Sequence, residues 1–130
     1  MSVSIPTLGV AIVDHDHREA VKLIEQAQAA EDSQLAALMA KAATHLSEHF
    51  AREEALMDEC GFFAANCHKE EHQRVLKEAH AVQTAGDAAS IRAYLTRAFP
   101  DWLVSHANSM DQVTMTTYLS YLASHTAKAS

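Results

Sequence analysis

The chain is poor in the residues that make turns, cross-links and strands. It has 3 Gly, 2 Pro and 2 Cys in 130 residues, and 6% of its positions are aromatic. Little Gly and Pro leaves few places for tight turns. Few aromatics beside abundant Ala and Leu argues against sheets, because Ala and Leu are strong helix formers and strands favour β-branched and aromatic side chains. Cys60 and Cys67, seven positions apart, match no zinc-binding spacing and read as reduced bystanders rather than a disulfide, as expected in a cytoplasm. No Lys/Arg cluster offsets the formal charge of −7, so neither nucleic acid nor an anionic membrane is expected as a partner. The apolar stretch from Met1 to Val13 has no basic leader and no run long enough to span a bilayer. A length of 130 residues and a mass of 14.2 kDa suit one domain, 1–130, with a single core.

Histidine is what the chain has in excess, with 9 in 130 residues. The apolar pattern around these histidines is helical. A first helix is expected from Asp16 to Ala30. Glu31-Asp32-Ser33 offers caps for a second, along which Leu35, Leu38, Met39, Ala42, Leu46, His49, Glu53 and Leu56 recur at three- and four-residue spacing. Gly61 stands where a left-handed residue would end that helix. A third runs from near Ala64 to Gly86, and Asp87 caps a fourth that carries Ile91, Leu95, Trp102, Leu103 and His106. Pro100 lies inside the fourth pattern and is expected to kink or split it before Trp102. After Asp111, Met115 to Leu122 reads as a short final turn or helix. The expected fold is all-α: an up-down-up-down four-helix bundle with a short C-terminal helical tail.

Residues four apart on a helix are offset by about 40° and share a face. His49 and Glu53 therefore project together from the second helix, and His68 and His72 from the third. Each pair alone is a weak sign, since surface or satisfied core histidines are commoner. Two pairs on neighbouring helices, both in line with the apolar stripe, point to a shared metal site, because His and carboxylate are the ligands of non-haem iron. His17 on the first helix and His106 with Asp111 on the fourth would complete a two-metal site. Asp111 lies about 140° around an ideal helix from His106, so the two share a face only if the helix ends or unwinds between them. Ala107-Asn108-Ser109, with two poor helix formers, is the place for it. His45 could instead pair with His49, and of His15 and His17 at most one faces the core.

Four blocks together resemble the hemerythrin family. Val13-Asp14-His15-Asp16-His17 looks like its opening block, His49-Phe50-Ala51-Arg52-Glu53-Glu54 like its His-Phe-x-x-Glu-Glu block, and His68-Lys69-Glu70-Glu71-His72 like its His-x-x-Glu-His block. Trp102-Leu103-Val104-Ser105-His106 through Asp111 is similar to the last. The blocks stand in the family's order over nearly the whole chain, whose length suits the single-domain bacterial form. The resemblance selects His17 over His15 and His49/Glu53 over His45/His49.

It implies two iron ions as cofactors, bridged by an oxo or hydroxo group and by the carboxylates of Glu53 and Asp111. His68, His72 and His106 would hold one iron. His17 and His49 would hold the other, leaving it an open position for dioxygen, the implied partner. The implied function is reversible dioxygen binding in carriage, storage or delivery, with an oxygen or redox sensor or a nitric oxide- or peroxide-reactive enzyme as alternatives. Five neutral imidazoles and no Glu-x-x-His motif favour binding over oxygen activation, because fewer anionic ligands stabilise high-valent iron less. Phe50, Trp102 and Leu103 could wall the open position, with Leu46 plain core. Glu54, Glu70 and Glu71 are either solvated charges or orienters of ligand imidazoles. The chain departs from the family in lacking a Trp in Ile5 to Val10 and in carrying Ala107 after His106. With Pro100 in the same helix, the wall beside His106 is expected to be looser and the site to autoxidise faster.

Overall fold

The computed structural model describes residues 3–129, with side chains described as far as 125. All regular structure among them is helical, in four rods. The first helix, α1 (Ala11–Ala29), starts five residues before the expected Asp16. The reason is Asp14, whose carboxylate reaches back to accept the backbone N–H groups of Leu8 and Gly9 at 2.8 and 3.0 Å, while the Val10 carbonyl receives Val13 and Asp14. An acidic residue in the first turn also suits the positive end of the helix.

The second helix, α2 (Asp32–Cys60), opens on a reciprocal cap in which Glu31 and Gln34 each accept the other's backbone N–H. It ends at Gly61, whose φ of 61° lies in the left-handed region open to glycine. The third, α3 (Ala65–Ala85), ends in the same way at Gly86, with φ 73°.

The fourth rod runs without a break over 88–129, and here two expectations are corrected. Asp87 caps α4 (Ala88–Ala93) by accepting Ser90 N–H at 2.9 Å. A wide π-helical turn, Tyr94–Ala98, then leads into α5 (Phe99–His106). The Phe99 N–H bonds back five residues to Tyr94, so Pro100 falls in a first turn where the donor it lacks is not required. The proline is thus absorbed by a wider turn rather than by splitting the helix. A second π turn, Ala107–Asp111, joins α5 to α6 (Gln112–Ala129). The expected short tail is the continuation of the fourth helix past the site.

Buried side chains form two clusters. The larger includes Ile24, Leu35, Met39, Leu46, Phe50, Val75, Ile91, Leu95 and Phe99; the smaller is Val10, Val13, Met115 and Tyr118. A full burial of one such aliphatic side chain contributes about 1.5–3 kcal/mol. Between the clusters lies a polar layer. Along α1 the order is Val13, His17, Ala20; along α2 it is Phe50, Glu53, then Leu56 against the smaller cluster; along the fourth rod it is Leu103, His106, Asp111, Met115. These three rods thus carry their polar residues through an interior closed by hydrocarbon on both sides.

Candidate metal centre

The polar layer consists of His17, His49, Glu53, His68, His72, His106 and Asp111, all buried, with Glu53, His72 and Asp111 fully so. The four-residue spacing delivers His49 with Glu53 and His68 with His72, as the local geometry of a helix requires. His106 and Asp111 meet because the π turn between them widens the helix by one residue, so residues five apart overlie one another.

The seven side chains form two overlapping groups. Glu53, His68, His72, His106 and Asp111 make one, and His17, His49, Glu53 and Asp111 the other, with the donor atoms of each within 4.8 Å of one another. Asp111 spans them. Its Oδ2 lies 3.0 Å from His17 Nε2, while its Oδ1 lies 3.0 Å from His106 Nε2 and 3.1 Å from His68 Nε2. Glu53 Oε1 lies 3.1 Å from His72 Nε2 and 3.7 Å from both His49 and His68 Nε2.

The His17–Asp111 contact is a hydrogen bond, but the contacts of Asp111 Oδ1 and Glu53 Oε1 are poorly directed as such. Both Glu53 oxygens, Asp111 Oδ1 and His72 Nε2 are buried without a hydrogen-bond partner among the described residues. Such atoms normally cost about 1–3 kcal/mol each. Lone pairs that converge on shared points while missing one another are what a cation would satisfy. The separation of about 3 Å also suits neighbouring ligands around an ion bound at about 2.1 Å. The donor set, five imidazole nitrogens and two carboxylates, fits a borderline transition metal better than magnesium or calcium.

Three of the imidazoles are fixed from behind. His49 Nδ1 donates to Asp16 Oδ2 at 2.9 Å, His72 Nδ1 to Glu54 Oε2 at 2.9 Å, and His68 Nδ1 to Thr114 Oγ1 at 2.8 Å. The Thr114 hydroxyl gives its one proton to the Met110 carbonyl at 2.8 Å, so toward His68 it can only accept. In each case the proton sits on Nδ1 and the Nε2 lone pair faces the cluster. Asp16 is clamped in turn by Arg52, through Nε and the terminal nitrogen, both at 2.8 Å. His17 Nδ1 is buried and meets no partner among the described residues.

The electrostatics are those of an interior short of positive charge. Burial, and then Asp111 facing it, push the Glu53 carboxyl well above its ordinary range. Burial acts on Asp111 in the same direction, but the imidazoles of His106, His17 and His68 outweigh it and hold Asp111 well below. Burial and the neighbouring His68 and His106 push His72 down to about 2, and burial lowers His49 against the pull of Asp16. His49 and His72 are thereby favoured in the neutral form, which is the one that ligates.

The remaining histidines lie apart. His45 Nε2 meets the backbone carbonyl of Asp16 at 2.9 Å, and the exposed His15 sits 3.9 Å from Glu19. Glu54 orients a ligand imidazole, whereas Glu70 is exposed and Glu71 accepts the Trp102 indole N–H. Phe50 stacks on His72 with centroids 3.9 Å apart, and Trp102 stacks on His106 at 4.4 Å. Both therefore line the three-histidine group, although Phe50 also lies 5.8 Å from His49. The looser wall expected beside His106 is not found, for Ala107 is fully buried and Trp102 lies against the ring. Cys60 is half-buried, Cys67 exposed, and both are free thiols. Asp16, Arg52 and Thr114 were not expected in the site.

Four helical rods around two interlocked groups of imidazoles and carboxylates define a helical protein with a site for a pair of metal ions. The family model described as the hemerythrin HHE cation binding domain matches residues 8–118. Proteins named Bacteriohemerythrin are similar over most of their length. That of Ralstonia nicotianae is 31% identical over 115 residues, covering 86% of this chain and 82% of that protein. That of Aquifex aeolicus is 30% identical over 118 residues, covering 85% and 90%. That of Stenotrophomonas maltophilia is 27% identical over 114 residues, covering 81% and 72%. The chain belongs to the hemerythrin family.

Proposed function

We propose that the cluster holds two iron ions and that the chain binds dioxygen reversibly there, in carriage, storage or delivery rather than as an enzyme. The observation that carries this reading is the position of Asp111, with one carboxylate oxygen 3.0 Å from His17 and the other 3.0 Å from His106. A carboxylate so placed is a bridge, and Glu53, which belongs to both groups, is the second. His68, His72 and His106 serve one ion and His17 and His49 the other. An oxo or hydroxo group would be taken up with the ions, as the resemblance to the family implies. The pair of ions, when bound, supplies electrons and an open position for dioxygen on the two-histidine side.

The chain supplies the rest. Asp16, Glu54 and Thr114 aim the ring nitrogens, and the two apolar clusters keep bulk water away. Five neutral imidazoles against two carboxylates favour binding over cleavage of the oxygen–oxygen bond, because high-valent iron needs more anionic ligands. The name Bacteriohemerythrin borne by similar proteins supports the same reading. The rods run up-down-up-down, which the reversed order of the two apolar clusters from α1 to α2 supports. A cytoplasmic location belongs to the same reading, and Cys60 and Cys67 are both free thiols. No described helix is long and apolar enough to cross a membrane, and the charge of −7 disfavours nucleic acid.

The test is iron per chain together with an optical spectrum of the reduced protein before and after air, with cycles of gentle vacuum. Two irons and a charge-transfer band that appears with oxygen and fades on its removal are expected. Two irons with immediate, irreversible oxidation would move the assignment to a sensor or an enzyme. Zinc, or no metal, would overturn it.

A further inference from the structure

His106, like His17, is not oriented by a hydrogen bond from behind its ring. Among the described residues nothing hydrogen-bonds its Nδ1, whereas His49, His68 and His72 each have an acceptor there. Against its ring lies Trp102, centroids 4.4 Å apart and planes 20° from parallel. The indole is itself anchored, because its Nε1–H donates to Glu71 Oε2 at 2.9 Å. Glu71 is gripped by Arg74, whose Nε and terminal nitrogen reach its two oxygens at 2.6 and 3.0 Å. The arrangement parallels Arg52 and Asp16 behind His49, with an aromatic face in place of the last hydrogen bond.

We propose that Trp102, anchored by Glu71 and Arg74, is a positioning residue for His106, which it orients by stacking and whose imidazole it stabilises in the positively polarised, metal-holding form. The inference rests on reading the cluster as a metal site. An imidazole whose Nε2 holds a cation carries part of that charge, and a tryptophan face within about 6 Å attracts it. A carboxylate accepting the indole N–H makes the ring more electron-rich and strengthens the attraction. The neutral imidazole of the metal-free chain gains less, so the effect is felt chiefly in the loaded state. It is also confined to one group, since Trp102 stacks on His106 and meets Phe50 edge-on at 5.8 Å but forms no ring contact with His17 or His49. A residue that only filled space would instead act on overall stability and on both metal positions alike.

The test titrates the metal-free chain with Zn2+ against a competing chelator and follows two successive affinities. Trp102→Leu is expected to weaken one of the two by about tenfold and to leave the other within about twofold. Trp102→Phe, which keeps a flat face, should recover most of the loss. Glu71→Gln, which keeps an acceptor but not its charge, should fall between and shift the fluorescence change of Trp102 on loading; this is the chain's only tryptophan. Equal weakening of both affinities by Trp102→Leu, or none, overturns the inference while leaving the metal site standing. Failure of the unmodified chain to bind a pair of ions would overturn both.

Discussion

Replacing Thr114 by Val tests whether the groups behind the imidazoles matter, because the two side chains have nearly the same shape. Thr114 is fully buried, and its hydroxyl accepts from His68 Nδ1 at 2.8 Å while donating to the Met110 carbonyl at 2.8 Å. Valine removes that acceptor and leaves the His68 N–H, itself 1% exposed, with no partner. The cost of one such buried donor is about 1–3 kcal/mol, and the Met110 carbonyl adds little because it belongs to a helix. Thr114→Ser keeps the hydroxyl and removes one methyl, worth about 0.8 kcal/mol. Chemical denaturation of the metal-free protein should therefore show Val as the more damaging of the two. Nitrogen NMR of His68 should show the proton losing its preference for Nδ1. Metal affinity should fall about 10–100-fold in Thr114→Val, as for other groups that orient ligands. If Thr114→Ser were as damaging as Thr114→Val, or if the His68 tautomer were unmoved in the latter, the hydroxyl would not be setting the ring, and the reasoning would fail.

Asp16→Ala should destabilise the protein by about 1–3 kcal/mol, because it strips the buried His49 of its acceptor, whereas Asp16→Asn keeps an acceptor and should cost less. The half-exposed Arg52 adds little to either figure. Equal loss in the two variants, measured by denaturant melts, would refute the role given to the His49 contact. The metal-free protein should lose stability toward both acid and alkaline pH. His49 and His72 have folded pKa values below the unfolded 6.5, so their contribution is whole above that value and lost as pH falls below it, for His72 down to about 2. Glu53 is raised from 4.5, so its contribution is lost as pH climbs through the raised value. Above 6.5 the two imidazoles no longer act, whereas the raised carboxyls of Glu53 and Glu54 oppose them as pH climbs from 4.5. Denaturation across pH that kept rising past 6.5 would contradict the raised Glu53. Metal uptake just above pH 4.5 should release the proton that the raised Glu53 carboxyl retains there, seen calorimetrically as an uptake heat that depends on the buffer. His45→Ala should leave iron content unchanged, since its ring nitrogen meets a backbone carbonyl outside the cluster.

What could be read from the sequence was whatever is local to one helix. The pairs His49/Glu53 and His68/His72 share a face because of helical spacing alone, and Gly61 and Gly86 end α2 and α3 because their left-handed backbone favours glycine. The groups behind the ligands were hidden because their roles exist only across the fold. Asp16 meets His49 over 33 residues, and Thr114 meets His68 over 46. In the sequence Asp16 is one charge in an acidic first turn and Thr114 one hydroxyl in an apolar stretch. No period distinguishes either. Buried Asp16 might have been suspected from its place beside His17, but a helix puts adjacent residues about 100° apart, which argues against a shared site. They share it because His17 points into the cluster while Asp16 faces α2.

The fourth rod shows why spacing misled at both of its irregular points. An ideal helix allows Pro100 only at an end and separates His106 from Asp111, so a break near each was the economical reading. A π turn resolves both without ending the helix, since one added residue frees a donor position or brings residues five apart into line. Ending the helix at Asp111 would have left backbone carbonyls unpaired beside a buried carboxylate, and would have removed Thr114 from behind His68. The continuous rod keeps the hydrogen-bond ladder closed and carries Met115 and Tyr118 on to cover the far side of the polar layer. The second irregularity is therefore the means by which one helix presents an imidazole and a carboxylate to the same pair of sites. Inserting a residue within Ala107–Asp111 would rotate Asp111 away from His106 while leaving both residues in the chain, whereas deleting one would leave them four apart and in line on an ordinary α-helix.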